Sequence, residues 1–434
     1  MAQLLEILEK LNPWWKRKEF ETGFIRNAYL SKIKTFLKSK EIVVLTGVRR
    51  AGKTTLLFQT IHDLIYNQKI DPKKILFVNF DEPDLANLKN PIKEILDVYF
   101  QDVCSDKNTY LIFDEVQDIK DWEKWAKSIY DEKEHNLILS GSSSNLLDSK
   151  LSILISGRYL KISVFPLDFT EYLFFNNLSI KKDKISLASN KNKIMNLIKS
   201  YLKEGGFPRI VLEKNNSLKK EILKNYYETI IYKEIVSMHE VRNVKALREL
   251  IYYLCSNFSE LYSYKQLNEL LKIDFLTLKE FLHYAEEAKI LFENSFFSYS
   301  LKTQARYNKK IYCIDNGLRN AVSFKFSKDE GKLAENLVFV ELKRRDKEIY
   351  YWQNSKKQEV DFAIKNKDRS LTGINVSYTD EPNKREIQGL LEFKKEFKQC
   401  KNLIVLTKNL EKETKFNKIE IKFIPLWKWL LEDK

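Results

Sequence analysis

The chain reads Gly47-Val48-Arg49-Arg50-Ala51-Gly52-Lys53-Thr54, which is glycine, four residues, then Gly-Lys-Thr. An apolar run, residues 42–46, leads into this stretch, and a helical pattern begins at Thr55. A strand, a glycine turn and a helix in this order direct backbone N–H groups and the positive end of the helix at one point. Residues 47–55 therefore predict a phosphate-binding loop, in which Lys53 neutralises the β and γ phosphates of ATP and the Thr54 hydroxyl binds Mg²⁺.

The composition is that of a basic globular protein. The 434 residues are 44% apolar and 31% charged, with a net charge of +15, and this length is enough for two to four domains. The charge favours an anionic partner such as DNA. A general lysine bias explains the charge equally well, because the lysines are spread along the whole chain.

The cysteines and the chain start bear on the cellular compartment. The cysteines lie far apart and form no CxxC pattern, which is typical of buried thiols in a reducing compartment. The first residues show no basic start followed by an apolar core, and no apolar run reaches membrane-spanning length. We therefore expect a cytoplasmic protein that does not contact a membrane. The cysteines are Cys104, Cys255, Cys313 and Cys400.

The hydrophobic pattern predicts an α/β protein of five segments. Strands and helices alternate over residues 39–165, which is typical of a parallel sheet covered on both faces. A helical segment, residues 1–38, precedes this ATPase core, and a helical lid, 166–240, follows it. Residues 241–324 show three helices and a ribbon, as in a winged helix-turn-helix. Residues 325–434 form a second α/β domain.

Two acids end the apolar strand that begins at Tyr110. Asp114 is predicted to hold Mg²⁺ through its water shell, and Glu115 to orient and deprotonate the attacking water. The next strand ends at Ser140, followed closely by Ser142. A short polar side chain there would lie between the two motifs and sense the γ-phosphate. Ser142 is the first choice and Ser140 the second, and the alternative for both is a helix-capping role.

This ordered set of motifs resembles the AAA+-type ATPases of archaea and some bacteria that carry a winged helix and a restriction-endonuclease-like C-terminal domain. The matching stretches are Asn12-Pro-Trp-Trp15, Gly47–Thr55, Asp114-Glu115-Val116-Gln117, Ser140-Gly-Ser142, Gly157-Arg158, Gly205-Gly-Phe-Pro208, Glu335-Asn336 and Glu359-Val-Asp361-Phe362.

The resemblance implies roles for two further residues. Arg158 would act on phosphate, either in its own site or in the site of a neighbouring subunit of a homo-oligomer. Pro208 would belong to the helical lid and lie near the base of the nucleotide. The alternatives are a surface arginine that pairs with an acid and a plain helix break.

The winged-helix segment is predicted to contact DNA. Residues 273–288 would form the recognition helix, and the ribbon and its tip would supply cations beside tyrosines, which suits phosphate contact and base stacking. The alternative is a domain that packs against protein. The candidate DNA contacts are Thr277, Lys279, His283, Lys302, Arg306, Lys309 and Lys310.

The last segment resembles a PD-(D/E)xK nuclease core, with Glu335 on a helix and Asp361 on a strand. An active core needs a carboxylate and a lysine two residues apart on the next strand, to hold Mg²⁺ and activate water. Asn375 and Ser377 stand at those positions, and an amide and a hydroxyl hold a hard cation less well than a carboxylate. We therefore expect an inactive nuclease-like domain.

Together these patterns predict an ATPase that uses ATP and Mg²⁺ and couples its nucleotide state to DNA binding or remodelling. Two alternatives stay open. One is a slow nucleotide-gated switch that acts on protein partners, and the other is an ATP-controlled nuclease.

Overall fold

The computed structural model describes residues 2–142, 155–181, 183–323, 330–416 and 418–432. The chain divides into two compact units, Met1–Val164 and Phe165–Lys434. No helix in these described ranges is long and apolar enough to cross a membrane.

A five-stranded parallel sheet forms the centre of the first unit, with the strands in the order β2-β3-β4-β1-β5. The predicted α/β fold is confirmed, and the predicted strands at residues 42–46, from Tyr110 and up to Ser140 are all found. The strands are β1 (Ile42–Gly47), β2 (Ile75–Asn79), β3 (Tyr110–Asp114), β4 (Asn136–Gly141) and β5 (Tyr159–Val164). The helices are α1 (Ala2–Leu11), α2 (Asn27–Leu37), α3 (Lys53–His62), α4 (Pro91–Asp102) and α5 (Trp122–Glu132).

Burial explains why the sequence pattern predicts these strands. Every residue of β1 and β4 is buried, and a parallel sheet covered on both faces gives such unbroken apolar runs. All five strands point the same way, so their carboxyl ends meet at one edge of the sheet. Because β4 lies between β1 and β3, the polar residues that end β4 lie between the phosphate loop and the two acids, as predicted.

A turn near the N-terminus covers the outer edge of this sheet. The side-chain amide of Asn12 donates to the Phe77 carbonyl at 2.9 Å and accepts from the Phe77 N–H at 2.7 Å. The indole N–H groups of Trp14 and Trp15 both donate to the Ile75 carbonyl, at 3.1 and 2.8 Å. An open edge strand is a template for pairing with other chains, and here side chains supply the hydrogen bonds of a further strand to β2.

We expect Asn12→Ala to lower the free energy of unfolding by about 2–4 kcal/mol, since it leaves the buried N–H and C=O of Phe77 unpaired. Urea denaturation of the full chain measures this change, and Asn87→Ala, at an exposed position, serves as the control. Equal loss of stability in both variants would show that the Asn12 amide does not stabilise the edge.

The second unit begins with helices. The region predicted as a helical lid contains α6 (Phe169–Phe175), α7 (Lys184–Ser189), α8 (Lys191–Glu204), α9 (Pro208–Leu212) and α10 (Asn216–Thr229). The last of these continues as a wider π-helical turn over Ile230–Val236.

Three helices and a small antiparallel sheet follow, and the identity of this region as a winged helix stays a prediction. A capping box at Ser263 begins the second of these helices. The elements are α11 (Val244–Ser256), β6 (Leu261–Tyr262), α12 (Tyr264–Leu271), α13 (Phe275–Glu287), β7 (Leu291–Asn294), α14 (Leu301–Arg306) and β8 (Lys309–Cys313), and the sheet order is β6-β8-β7.

The predicted ribbon is found as β7 and β8, which pair antiparallel. The connection between them contains α14, which was not predicted, so Lys302 and Arg306 lie on a short helix. The hydroxyl of Ser300 accepts a hydrogen bond from the Thr303 N–H and caps this helix at its start. A further helix, α15 (Asn316–Val322), follows β8.

A six-stranded mixed sheet with flanking helices completes the second unit. Its strand order is β13-β14-β12-β11-β10-β9, and β11, β12 and β14 are mutually parallel. This mixed sheet with helices matches the second α/β domain predicted from the sequence, whereas β13, β14 and the last helix were not predicted. The elements are α16 (Glu330–Arg344), β9 (Glu348–Gln353), β10 (Glu359–Lys365), β11 (Leu371–Ser377), α17 (Lys384–Glu396), β12 (Cys400–Thr407), β13 (Lys412–Phe416), β14 (Ile419–Pro425) and α18 (Leu426–Leu431).

Candidate nucleotide-binding site

The phosphate loop joins β1 to α3 at the carboxyl edge of the first sheet. Gly52 immediately precedes α3 with φ 94°, a conformation that other residues adopt only with strain. Lys53 opens the helix, is buried, and its ammonium donates to the Gly47 carbonyl at 3.1 Å. The ammonium therefore lies inside the loop, beside the N-terminus of α3, where an anion gains from both charge and backbone N–H groups.

The remaining residues of the phosphate loop differ in their exposure to solvent. Val48 and Ala51 are buried, whereas Arg50 and Thr55 are exposed. Arg49 lies on the side of β2, where its guanidinium forms an ion pair with the Asp81 carboxylate at 2.9 Å. This pair holds one of the two loop arginines to the sheet.

The carboxylate of Asp114 is bound from both sides. The Thr54 hydroxyl donates to one of its oxygens at 2.6 Å, and the Ser140 hydroxyl donates to the other. Asp114 is fully buried, and this burial, together with the charge of Glu115, raises the pKa of its carboxyl group. A bound cation reverses that effect, and the oxygen atoms of Thr54 and Asp114 are ligands that Mg²⁺ prefers.

Glu115 follows β3 in a left-handed turn, with φ 52°. The side-chain N–H of Gln117 donates to the Glu115 carboxylate at 2.7 Å, so the predicted water-activating acid is held in place. Gln117 was quoted in the sequence only as part of a motif, and its contact with Glu115 was not predicted.

Two buried oxygen atoms in this region lack a hydrogen-bond partner among the described residues. They are Oγ of Ser142 and Oε1 of Gln117. A buried polar atom without a partner is costly. A phosphate in the site would accept a hydrogen bond from the Ser142 hydroxyl, and a water molecule would donate one to the Gln117 oxygen. Since the Ser140 hydroxyl is already used by Asp114, the geometry favours Ser142 for the predicted contact with the γ-phosphate.

Arg26 is a second residue that the sequence reasoning missed. Its guanidinium is buried and donates to the Ala51 carbonyl of the phosphate loop at 2.9 Å. The Arg26 N–H donates to the Gln59 side chain of α3 at 3.1 Å, and the guanidinium lies 4.5 Å from the centre of the Tyr29 ring. Arg26, just before α2, therefore holds the phosphate loop and α3 in place. A lone arginine just before a helix gave no signal for this contact.

Arg158 lies at the opposite end of the strands from the phosphate loop. Strands β1 and β5 are parallel, with Ile42 opposite Tyr159, and the Ile42 N–H donates to the Arg158 carbonyl at 3.0 Å. The length of β1, roughly 17 Å at about 3.3 Å per residue, separates this point from Gly47, which is too far for an arginine side chain. The guanidinium instead lies 3.9 Å from the Asp131 carboxylate. Arg158 therefore does not reach the phosphate loop of its own chain.

The Gly205-Gly-Phe-Pro208 motif lies in the second unit, where it makes a close junction with α15. The Gly206 N–H donates to the Asp315 carboxylate at 2.7 Å, and a methyl group at Gly317 would collide with the Glu204 carbonyl oxygen. Pro208 opens α9. These contacts give the motif a structural role, and the nucleotide contact of Pro208 stays a prediction.

The candidate DNA contacts are not equally accessible. On α13, Thr277 is half-buried, Lys279 lies over the Phe275 ring at 4.5 Å, and the ring of His283 is 3.3 Å from the Glu287 carboxylate. On α14, Lys302 and Arg306 are exposed.

The two lysines that begin β8 are engaged by acids. Lys309 forms an ion pair with Glu293. Lys310 is buried among Glu335, Glu359 and Asp361, so it is not available to a DNA phosphate and its prediction as a DNA contact is corrected.

The residues of the predicted degenerate nuclease site lie in the C-terminal domain, where Asn375 makes contacts within that domain. The Asn375 side chain accepts from the Asp361 N–H at 2.9 Å and donates to the carbonyls of Glu359 and Glu386 at 3.1 and 2.8 Å. Ser377 is buried at the end of β11. Within the described residues, no group of three His, Cys, Asp or Glu side chains is placed to hold a metal ion.

Three family models match the chain. Residues 39–173 match an AAA domain, and residues 195–329 and 330–429 match two different domains of unknown function. The first match identifies the domain around the phosphate loop as a P-loop domain of the AAA type.

Two relatives of uncharacterized function extend along nearly the whole chain. Protein MJ1544 of Methanocaldococcus jannaschii is 34% identical over 443 residues, covering 96% of each chain. A protein of Haemophilus influenzae is 27% identical over 413 residues, covering 93% of this chain and 98% of its own. Among solved structures, the Walker-type ATPase PABY2304 of Pyrococcus abyssi matches 69% of this chain and 95% of its own, with a TM-score of 0.45 and 14% identity. A likeness this distant carries no functional argument.

Proposed function

The chain belongs to the same family as protein MJ1544 of Methanocaldococcus jannaschii, and we propose that its first unit hydrolyses ATP to ADP and phosphate. The observation that carries this proposal is the convergence of Lys53, Thr54 and Asp114 at the phosphate loop. The AAA-domain match over residues 39–173 supports it independently.

In this proposal the residues divide the work as follows. The Lys53 ammonium turns from the Gly47 carbonyl to a phosphate oxygen, and the Ser142 hydroxyl donates to the γ-phosphate. Thr54 and Asp114 hold Mg²⁺, which neutralises charge on the β and γ oxygens when bound. The Glu115 carboxylate, held by the Gln117 amide, orients the attacking water and accepts its proton.

We also propose that Arg158 completes the site of a neighbouring subunit in a homo-oligomer. The support is its position at the edge of the sheet opposite its own phosphate loop. An arginine supplied in trans stabilises the charge of the transition state and is worth roughly 10³–10⁵ in rate in well-studied NTPases.

A second proposed step links the nucleotide state to DNA. Residues 295–308 contain no acid, and Lys302 and Arg306 are exposed on α14 beside the exposed rings of Tyr299 and Tyr307. Such a surface suits phosphate contact and stacking. We therefore assign the proposed DNA contact to α14 and not to α13, whose exposed face also carries Glu280.

One observation favours a switch that acts on protein partners as the second candidate. Two apolar side chains at the start of α13 are exposed, Leu276 at 71% and Phe275 at 48%, and Leu270 near the end of α12 is 56% exposed. Exposed apolar side chains suit a protein contact. The ATP-controlled nuclease is not proposed, because Asn375 is fully used in backbone contacts.

The first test replaces Glu115 with glutamine. We expect the variant to bind ATP with an affinity within a few-fold of the parent and to hydrolyse it at least about 10²-fold more slowly, because the amide cannot accept the proton. Calorimetry measures binding, and phosphate release measures turnover. Glu123→Gln, on α5, is the matched control, and unchanged turnover in Glu115→Gln would remove this residue from the mechanism.

The second test mixes two variants to locate the action of Arg158. Arg158→Ala keeps its own loop and acid, whereas Glu115→Gln keeps the arginine. We expect each alone to be strongly impaired and the mixture to regain part of the ATPase rate, because one subunit supplies the arginine to the intact site of the next. A mixture no more active than its components, with mixed oligomers shown by mass, would rule out action in trans.

The third test concerns DNA. We expect the double variant Lys302→Ala and Arg306→Ala to bind duplex DNA more weakly, and to lower the slope of log affinity against log salt by about 1.8, at about 0.9 per phosphate contact. Fluorescence anisotropy across a salt series measures both. The control is Lys191→Ala with Lys193→Ala, at exposed positions of α8. Absence of binding by the parent at low salt would favour the protein-directed switch.

A further inference from the structure

A buried ion cluster joins the small sheet of the second unit to its C-terminal domain. The Lys310 ammonium, on β8, lies 3.0 Å from the Glu335 carboxylate and 3.3 Å from the Asp361 carboxylate, and it also contacts the Glu359 carboxylate. The lysine side chain is only 5% exposed. The Tyr312 hydroxyl donates to the same Glu335 oxygen at 2.7 Å.

The cluster draws its charges from separate elements. Glu335 comes from α16, and Glu359 and Asp361 come from β10, whereas the single cation comes from β8. Burial disfavours the charge of Lys310, but the surrounding carboxylates outweigh it and hold the pKa of Lys310 well above its usual value. The ammonium is therefore charged, and it partly neutralises three acids that would otherwise repel one another.

Two of these acids, Glu335 and Asp361, are the ones that the nuclease resemblance assigns to a metal site. A divalent cation in such a site needs several oxygen ligands at close range, and here the ammonium lies at the point where Glu335 and Asp361 converge. We infer that Lys310 takes the place of the metal ion, so that the carboxylate cluster is an internal cation site that locks β8 onto the C-terminal domain.

Further contacts between β8 and α16 support this attachment. The Asn336 side chain, one residue after Glu335, accepts from the Cys313 N–H at 2.8 Å and donates to the Cys313 carbonyl at 3.0 Å. The rings of Tyr312 and Phe339 stack with centroids 4.1 Å apart. Strand β8 is thus bound to α16 along its length, by charge, by hydrogen bonds and by ring packing.

The other side of the small sheet is joined as well. The Phe297 N–H donates to the Tyr351 carbonyl at 2.7 Å, and the Tyr351 N–H donates to the Ser295 carbonyl at 3.0 Å. The chain after β7 therefore pairs with β9, which is the edge strand of the C-terminal sheet. Helix α14 lies between these two attachments, so the surface proposed to contact DNA is held by the C-terminal domain.

The test removes the ammonium by Lys310→Met. We expect the midpoint of thermal unfolding of the full chain, measured without nucleotide, to fall by about 6 °C or more, because three buried carboxylates lose their counter-ion. Mn²⁺ should restore part of this loss by entering the vacated position. The parent should show no comparable response, and Lys309→Met, at the neighbouring partly exposed lysine, is the matched control.

Two combined variants test whether Asp361 is needed for the Mn²⁺ response and whether removing the acids together with Lys310 restores stability. Lys310→Met with Asp361→Asn should lose the Mn²⁺ response. Lys310→Met with Glu335→Gln and Asp361→Asn should regain stability, since it removes charge together with its counter-ion; if Lys310→Met does not fold, this triple variant should still fold. Failure of the triple variant to fold, full stability of Lys310→Met, or an Mn²⁺ stabilisation of the parent as large as that of Lys310→Met would each overturn the inference. Cleavage of plasmid DNA by the parent with Mn²⁺, lost in Lys310→Met, would overturn it by showing a nuclease that uses this lysine.

Discussion

The first unit depends on one buried carboxylate that two hydroxyl groups bind from different elements. Asp114 ends β3, and its two oxygens accept from Thr54 on α3 and Ser140 on β4. A buried carboxylate is costly unless it is hydrogen-bonded, so these contacts fix the register of β4 between β1 and β3 and the position of the first turn of α3. The arrangement that makes the burial tolerable is also the one that presents oxygen ligands to a cation at the phosphate loop.

The sequence predicts those elements that depend on residues close together in the chain. Strands β1 to β5 were legible because a covered parallel sheet needs unbroken apolar runs, and the loop residues follow from the spacing of Gly47, Gly52 and Lys53. The contacts of Arg26 and Gln117 were not predicted, because they join segments that no sequence motif links. Strand β14 has an alternating pattern that is typical of a strand with one covered face, and a closer search for this period would have found it.

Lys309 and Lys310 show why a basic patch cannot be mapped from sequence. Neighbouring residues of a strand point to opposite faces, so these adjacent lysines of β8 meet different surroundings. Lys309 lies on the side of Glu293 and stays partly exposed, whereas Lys310 faces α16 and is buried. The sequence predicted the same phosphate contact for both, because it shows the charge but not the face. The position of Arg158 has a similar origin, since only the parallel register of β1 and β5 places it away from its own loop.

The two acid clusters of the chain differ in what satisfies them, and that difference separates their chemistry. Burial raises the pKa of Asp114 and raises that of Glu335 to about 7, so each favours a positive neighbour. Around Asp114 the partners are neutral hydroxyls, and Ser142 and Gln117 leave oxygen atoms without a partner among the described residues. Around Glu335 the partner is an ammonium of the same chain. The first cluster therefore still offers oxygen atoms to a cation, whereas the second is already partly neutralised by Lys310, which fits the proposed role of holding two parts of one unit together.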